Sequence, residues 1–383
     1  MLSSQRALFD IPADVAYLNA AGWSPLPRAT QDAARAAVAR KGQPWKLDAD
    51  FANSQHERAR AAAAALIGAD ARDIALVSSV GYGVAIAGKV LSIARGSRVL
   101  VLENDHTSPV LEWIARAEVE GFMVETVAQP ANGDWTSAVL EAVERPGAPP
   151  LSLASISSVH WSDGGILDLH TIRDALRRDG AALLVDATHS VGVIATDVKA
   201  LDPDFLIFPT YKWVLGPYGR AFVYVARRHQ DGVPLEQTSF GRRNVKAENP
   251  VYFADTRYLT DARRYDMGER DHFISMEMAA IGMEMMASWG TEAVVTRLFA
   301  LTRRISDGLA CLNAVGIPDG RFRAPHVLCL GFAGDGLTSV IAKLASQQIY
   351  VAARIGRMRI SPHVYNDEAD ADRCVASIAR AVA

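Results

Sequence analysis

Lys212 lies in the run Pro209-Thr-Tyr-Lys-Trp-Val-Leu-Gly-Pro-Tyr-Gly219, among apolar and aromatic neighbours. An ammonium stripped of water there gives up its charge more easily and becomes a nucleophile toward an aldehyde. A lysine whose stem packs while its head reaches water is the plainer reading. Asp186 closes an apolar run and is followed by His189. A carboxylate in that position is costly unless paired. A protonated ring nitrogen would suit it, and the charged ring could then accept electrons from a carbanion; a helix N-cap is the alternative. His106, in Glu103-Asn-Asp-His-Thr-Ser-Pro109, could stack on a planar ligand or be an ordinary loop histidine. Ser79, Val80 and Gly81 fall in Ser78-Ser-Val-Gly-Tyr-Gly83, where small residues let backbone N–H groups approach a phosphate. Arg359 sits in a short strand-like piece and could hold a carboxylate bidentately, or join a surface ion pair.

These residues share a place in the pattern. Short runs at 74–77, 98–102, 123–127, 151–157, 181–186, 205–208 and 221–225 read as strands, most of them continuously apolar as expected for strands covered on both faces. Helical patterns at 84–94, 110–120, 136–144 and 169–178 separate several of them. The alternation predicts a mostly parallel seven-stranded sheet with helices on both sides. Gly216, Pro217 and Gly219 between the last two runs predict a tight reversal and an antiparallel final strand. Ligands of such sheets bind at the carboxyl ends of the strands, where these polar groups gather. Beyond residue 275, two long helical segments and a few short strands predict a smaller α+β domain. The expected division is a large domain over 15–260, and a small one formed by 1–14 with 261–383.

Composition narrows the classes. The 383 residues are half apolar and 22% charged, with a net charge of −3. That balance offers no footprint for nucleic acid or an anionic membrane. No apolar stretch is long enough to cross a bilayer, and the amino terminus does not resemble a signal peptide, so a cytoplasmic location is expected. The three cysteines, Cys311, Cys329 and Cys374, lack the spacing of a disulfide framework or a zinc site, and no metal is expected. A nicotinamide reductase would need a glycine fingerprint after the first strand, which is absent.

Three segments together, Val185-Asp-Ala-Thr-His-Ser-Val-Gly192, Thr210-Tyr-Lys-Trp-Val-Leu-Gly-Pro-Tyr-Gly219 and Arg359-Ile-Ser-Pro-His-Val-Tyr-Asn366, resemble the class V aminotransferases. That family is a branch of the fold-type I enzymes that use pyridoxal 5′-phosphate (PLP); it includes cysteine desulfurases, kynureninases and isopenicillin N epimerase-like proteins. The resemblance implies a Schiff base on Lys212, Asp186 at the pyridine nitrogen, His189 at the phenolic oxygen and His106 on the ring face. It implies phosphate contacts from Ser79, Val80, Gly81, Thr210 and Tyr211. Substrate contacts would come from Arg359, Trp161 and Asn19, with Arg242 or Arg243 as an alternative carboxylate clamp. It also implies a homodimer, with Arg270 of one subunit reaching the phosphate of the other. Two departures stand out. The stretch Val351-Ala-Ala-Arg-Ile-Gly-Arg-Met358 lacks the cysteine that desulfurases carry before the carboxylate arginine, and Trp161 stands where they place an asparagine. Chemistry at Cα of an amino acid follows, with transamination favoured over β-elimination or epimerization. A PLP-binding protein without turnover is the non-enzyme alternative.

Overall fold

The computed structural model describes residues 2–332 and 336–382. Its main sheet has seven strands: β1 (Ile74–Val77), β2 (Arg98–Leu102), β3 (Met123–Val127), β4 (Leu151–Ser157), β5 (Ala182–Asp186), β6 (Phe205–Pro209) and β7 (Ala221–Val225). Their order is β1-β7-β6-β5-β4-β2-β3. Strand β7 runs antiparallel to both β1 and β6, and every other neighbouring pair is parallel. The expected reversal therefore lies where the glycines and proline put it.

The continuous apolar runs exist because alternate residues serve two cores. On one face Leu76, Leu100, Val185, Leu206 and Phe222 join a core with the helices Trp135–Val143 and Leu169–Asp179. On the other, Val77, Val101, Leu184, Ile207 and Val223 meet the helices Val80–Val90 and Thr107–Glu120. The first of these latter helices starts four residues earlier than its apolar pattern suggested. Gly81 and Gly83 read as loop, but the Ser79 side chain accepts from the Tyr82 N–H at 3.1 Å and caps a helix that begins at once. The helices Arg28–Lys41 and Ala49–Leu66, which lie outside the helical patterns read from the sequence, pack on Phe273–Trp289.

A second sheet of four antiparallel strands follows: β8 (Val315–Gly316), β9 (Leu328–Phe332), β10 (Ala352–Arg354) and β11 (Arg357–Ile360), ordered β8-β9-β11-β10. Leu328, Leu330, Met358 and Ile360 cover a core shared with the helices Thr291–Leu309 and Glu368–Val382. Cys329 and Arg359 are register partners and project from the opposite face. The amino-terminal segment joins this region: Ala16–Tyr17 pairs with Ile349–Tyr350, and Asn19 bridges to Ser361. Among the described residues no helix is long and apolar enough to cross a membrane.

Candidate active site

The carboxyl ends of β1, β2, β5 and β6 open onto one cavity. Nine of the residues singled out from the sequence line it: Ser79, Val80, Gly81, His106, Trp161, Asp186, His189, Tyr211 and Lys212. They are brought together because each lies within a few residues of the end of its strand, Trp161 after β4, so parallel alignment of the strands gathers them at one edge.

Lys212 is buried, and its amine is lowered to about 7. Desolvation is the main cause and the charge of Arg359 the next, while Asp186 partly opposes them. Its Nζ lies 3.3 Å from His189 Nε2 and 5.4 Å from the centre of the Tyr211 ring. Asp186 is only 3% exposed, yet its carboxylate accepts just the Thr188 N–H, at 2.9 Å, and pairs with no cation among the described residues. His106 precedes the helix Thr107–Glu120 without capping it, and its ring meets Trp161 edge-on at 5.9 Å. Burial holds the His106 imidazole below its usual range. The Trp161 indole donates to the Asn104 carbonyl at 2.7 Å, which fixes it as a wall. Burial pushes the Tyr211 phenol up to about 12, so it remains a donor.

Arg359 stands behind Trp161 rather than on the cavity surface. It is 1% exposed, donates from Nη1 to the Trp161 carbonyl at 2.9 Å, and leaves its Nε buried without a partner. A guanidinium this deep without a carboxylate is poised for an anionic ligand.

Other expectations need correction. Thr210 does not line the cavity: its hydroxyl donates to the Pro217 carbonyl at 2.5 Å and thereby fastens the reversal between β6 and β7. Gly216 makes this possible, since a Cβ there would lie 2.6 Å from that of Thr210. Asn19 is also outside the wall, beside Ser361. Arg242 belongs to a small hairpin, Arg242–Asn244 with Asp255–Tyr258, where its guanidinium donates to the Thr256 carbonyl and Gln237; Arg243 donates to the Tyr258 carbonyl. Arg270 pairs with Asp266 and lies over the Phe240 ring.

One cation was missed. Arg220 opens onto the cavity next to Ser79 and Gly81, is 5% exposed, and has no carboxylate partner among the described residues. Its Nε donates to the Ser275 hydroxyl at 2.6 Å. Desolvation lowers its guanidinium to about 10. The set therefore offers a buried lysine amine, a buried free carboxylate opposite it, a capped helix terminus and an unpaired guanidinium. This is the donor set that an aldehyde-bearing pyridine with a phosphate arm requires.

The family model described as aminotransferase class V matches residues 16–379. The chain belongs to the class V aminotransferases. It is a PLP-dependent enzyme of transferase or lyase type, with the fold-type I architecture. It is 26% identical over 379 residues to "Uncharacterized aminotransferase YcbU" of Bacillus subtilis (strain 168), a match that covers 93% of this chain and 90% of the relative. It is 33% identical over 296 residues to "Cysteine desulfurase IscS" of Salmonella arizonae, which covers 75% of this chain and 66% of that protein. Among solved structures, an apo cysteine desulfurase from Thermococcus onnurineus NA1 superposes with a TM-score of 0.85 at 20% identity, covering 98% of this chain and 97% of the other. The cystine C-S lyase C-DES gives 0.85 at 19% identity, over 96% and 98%. At such identities the structures speak for the fold alone.

Within this class V enzyme no cysteine lines the cavity. Cys329 is buried on β9 and its thiol is pushed up to about 12 by desolvation; Cys374 is equally buried, and Cys311 is exposed elsewhere.

Proposed function

We propose that this enzyme acts at Cα of a small amino acid, with transamination as its reaction. The observation that carries the reading is the buried Lys212 amine, lowered to about 7, which shares its cavity with an unpaired Asp186 and feels the charge of an unpaired Arg359 behind Trp161. When bound, PLP supplies an aldehyde for amines and a ring that takes up the electron pair left at Cα.

This chain's residues would do the rest. Asp186 would accept a hydrogen bond from the ring nitrogen and keep that nitrogen protonated. His106 would cover the ring. The N–H groups of Val80 and Gly81 at the helix start, the Ser79 hydroxyl, the Tyr211 phenol and Arg220 would hold the phosphate. Arg220 replaces Thr210 in that set, and it supplies a cation without Arg270 having to leave Asp266. Arg359 would bind the substrate α-carboxylate and Trp161 would limit the side chain. Lys212 Nζ would remove the proton at Cα and return one, since a neutral amine close to the working pH serves both as base and, once charged, as acid.

Transamination is preferred for two reasons. No thiol reaches the site to accept sulfur, and the relative matched over nearly its whole length bears an aminotransferase name. We place the active form as a homodimer: Trp23 and Tyr218, 64% and 66% exposed, stack on each other at 5.4 Å, and Tyr218 also lines the cavity. Such an aromatic surface beside a site is suited to cover by a second subunit. The test is product analysis. The PLP-loaded protein is incubated with single amino acids, and keto acid, ammonia and sulfide are measured with and without an acceptor keto acid. Acceptor-dependent keto acid supports transamination. Ammonia released without an acceptor, with pyruvate, replaces it by β-elimination.

A further inference from the structure

Trp213 follows Lys212 in the chain, is 1% exposed, and points its indole away from the cavity onto the far side of His189. The indole Nε1 lies 3.1 Å from His189 Nδ1. An indole N–H can only donate, so Nδ1 must accept and carry no proton. A neutral imidazole then has its proton on Nε2, and Nε2 is the atom 3.3 Å from Lys212 Nζ. With the imidazole donating, the lysine nitrogen must offer a lone pair, which an ammonium lacks. We propose that Trp213 is a positioning residue: its indole N–H fixes His189 as the Nε2–H tautomer, and that tautomer holds the Lys212 amine in its unprotonated, nucleophilic form.

The surroundings hold the pair in place. His326 Nε2 donates to the His189 carbonyl at 2.7 Å, and its ring meets the Trp213 ring edge-on at 4.4 Å. His363 Nε2 donates to the Trp213 carbonyl at 3.2 Å and stacks on the indole at 5.6 Å. The Val364 N–H donates to His363 Nδ1 at 2.7 Å, so this ring too has a single tautomer. Both rings are fully buried and lie just outside β9 and β11, so the second sheet grips the tautomer lock. The groups whose charge reaches Lys212 are Arg359, Asp186 and Arg354, with His189 and Tyr211 beside it; those facing His189 are Lys212, Arg359, His326 and His106. Burial and the nearby cations hold His189 well below its usual range, so it stays a neutral donor and does not relay protons.

The inference deepens the reading of Lys212 as the reactive amine, but it is tested on the cofactor-free protein and fails separately from it. Trace labelling with acetic anhydride, read at the Lys212 peptide by mass spectrometry, follows the neutral amine against pH. Wild type should show a midpoint near 7. In Trp213→Phe, His189 can turn Nε2 into an acceptor for the ammonium, and the midpoint should rise by about one unit, roughly fivefold less label at pH 7. An unchanged midpoint in a variant with native circular dichroism overturns the proposal. Should Trp213→Phe fail to fold, the wild type decides alone. With nitrogen-15 histidine and assignment by His189→Gln, the His189 Nδ1 shift should be that of an unprotonated nitrogen, and a protonated Nδ1 overturns the proposal. If the tautomer is as stated but no PLP is taken up, the proposed function fails while this inference stands.

Discussion

Two carboxylates in this molecule are buried to the same degree, and they are treated oppositely. Asp266 is 3% exposed and accepts from Arg60 at 2.8 and 3.1 Å, from the Leu76 N–H at 2.9 Å, and from Arg270. Asp186, also 3% exposed, accepts one backbone N–H. The first ties the helix Ala49–Leu66 to β1 and the segment after Tyr265 and is saturated by its own protein. The second is left wanting a cation at the mouth of β5, within reach of a depressed lysine. Burial alone does not mark a functional charge; burial without internal compensation does.

Substitutions can separate the two. Asp186→Ala should lower turnover by about 10³-fold, because the group that stabilises the charged ring is gone. The thermal midpoint of the cofactor-free protein should not fall, since no protein cation is orphaned; a large fall would place Asp186 with Asp266. Asp266→Ala should cost about 3–5 kcal/mol in urea unfolding, because Arg60 is fully buried and would lose its buried carboxylate partner, keeping only the partly exposed Glu57. Stability close to wild type would show that the cluster relaxes and that the contrast is false. Arg359→Met should reduce kcat/KM by ~10²-fold for substrates with an α-carboxylate and much less for the matching amines, the scale of a lost charged hydrogen-bonding pair. Equal losses for both would make Arg359 a packing residue.

Much of this was legible in the residues. Strands covered on both faces are apolar nearly throughout, so the inner strands stand out, and the polar residues that follow them stand out as well; the edge strand β3 is partly exposed and carries Glu125 and Thr126. What was hidden depends on direction rather than type. Thr210 and Tyr211 are neighbours, yet only the phenol faces the cavity, because the threonine hydroxyl is turned back to Pro217. Arg220 sits in a turn, where an arginine ordinarily reads as solvated, and only the antiparallel pairing of β7 with β1 brings it beside Ser79. Trp213 looked like apolar padding around Lys212; that its N–H is spent on His189 follows from packing between two sheets. The helix Arg28–Lys41 has few buried residues, so its pattern was faint.

The central claim is that Lys212 is the amine that engages the cofactor. The direct measurement is borohydride reduction of the PLP-loaded enzyme followed by peptide mass spectrometry. The account predicts a reduced phosphopyridoxyl group on the peptide bearing Lys212, and none after Lys212→Ala. A reduced adduct on another lysine, or one that survives Lys212→Ala, would contradict it.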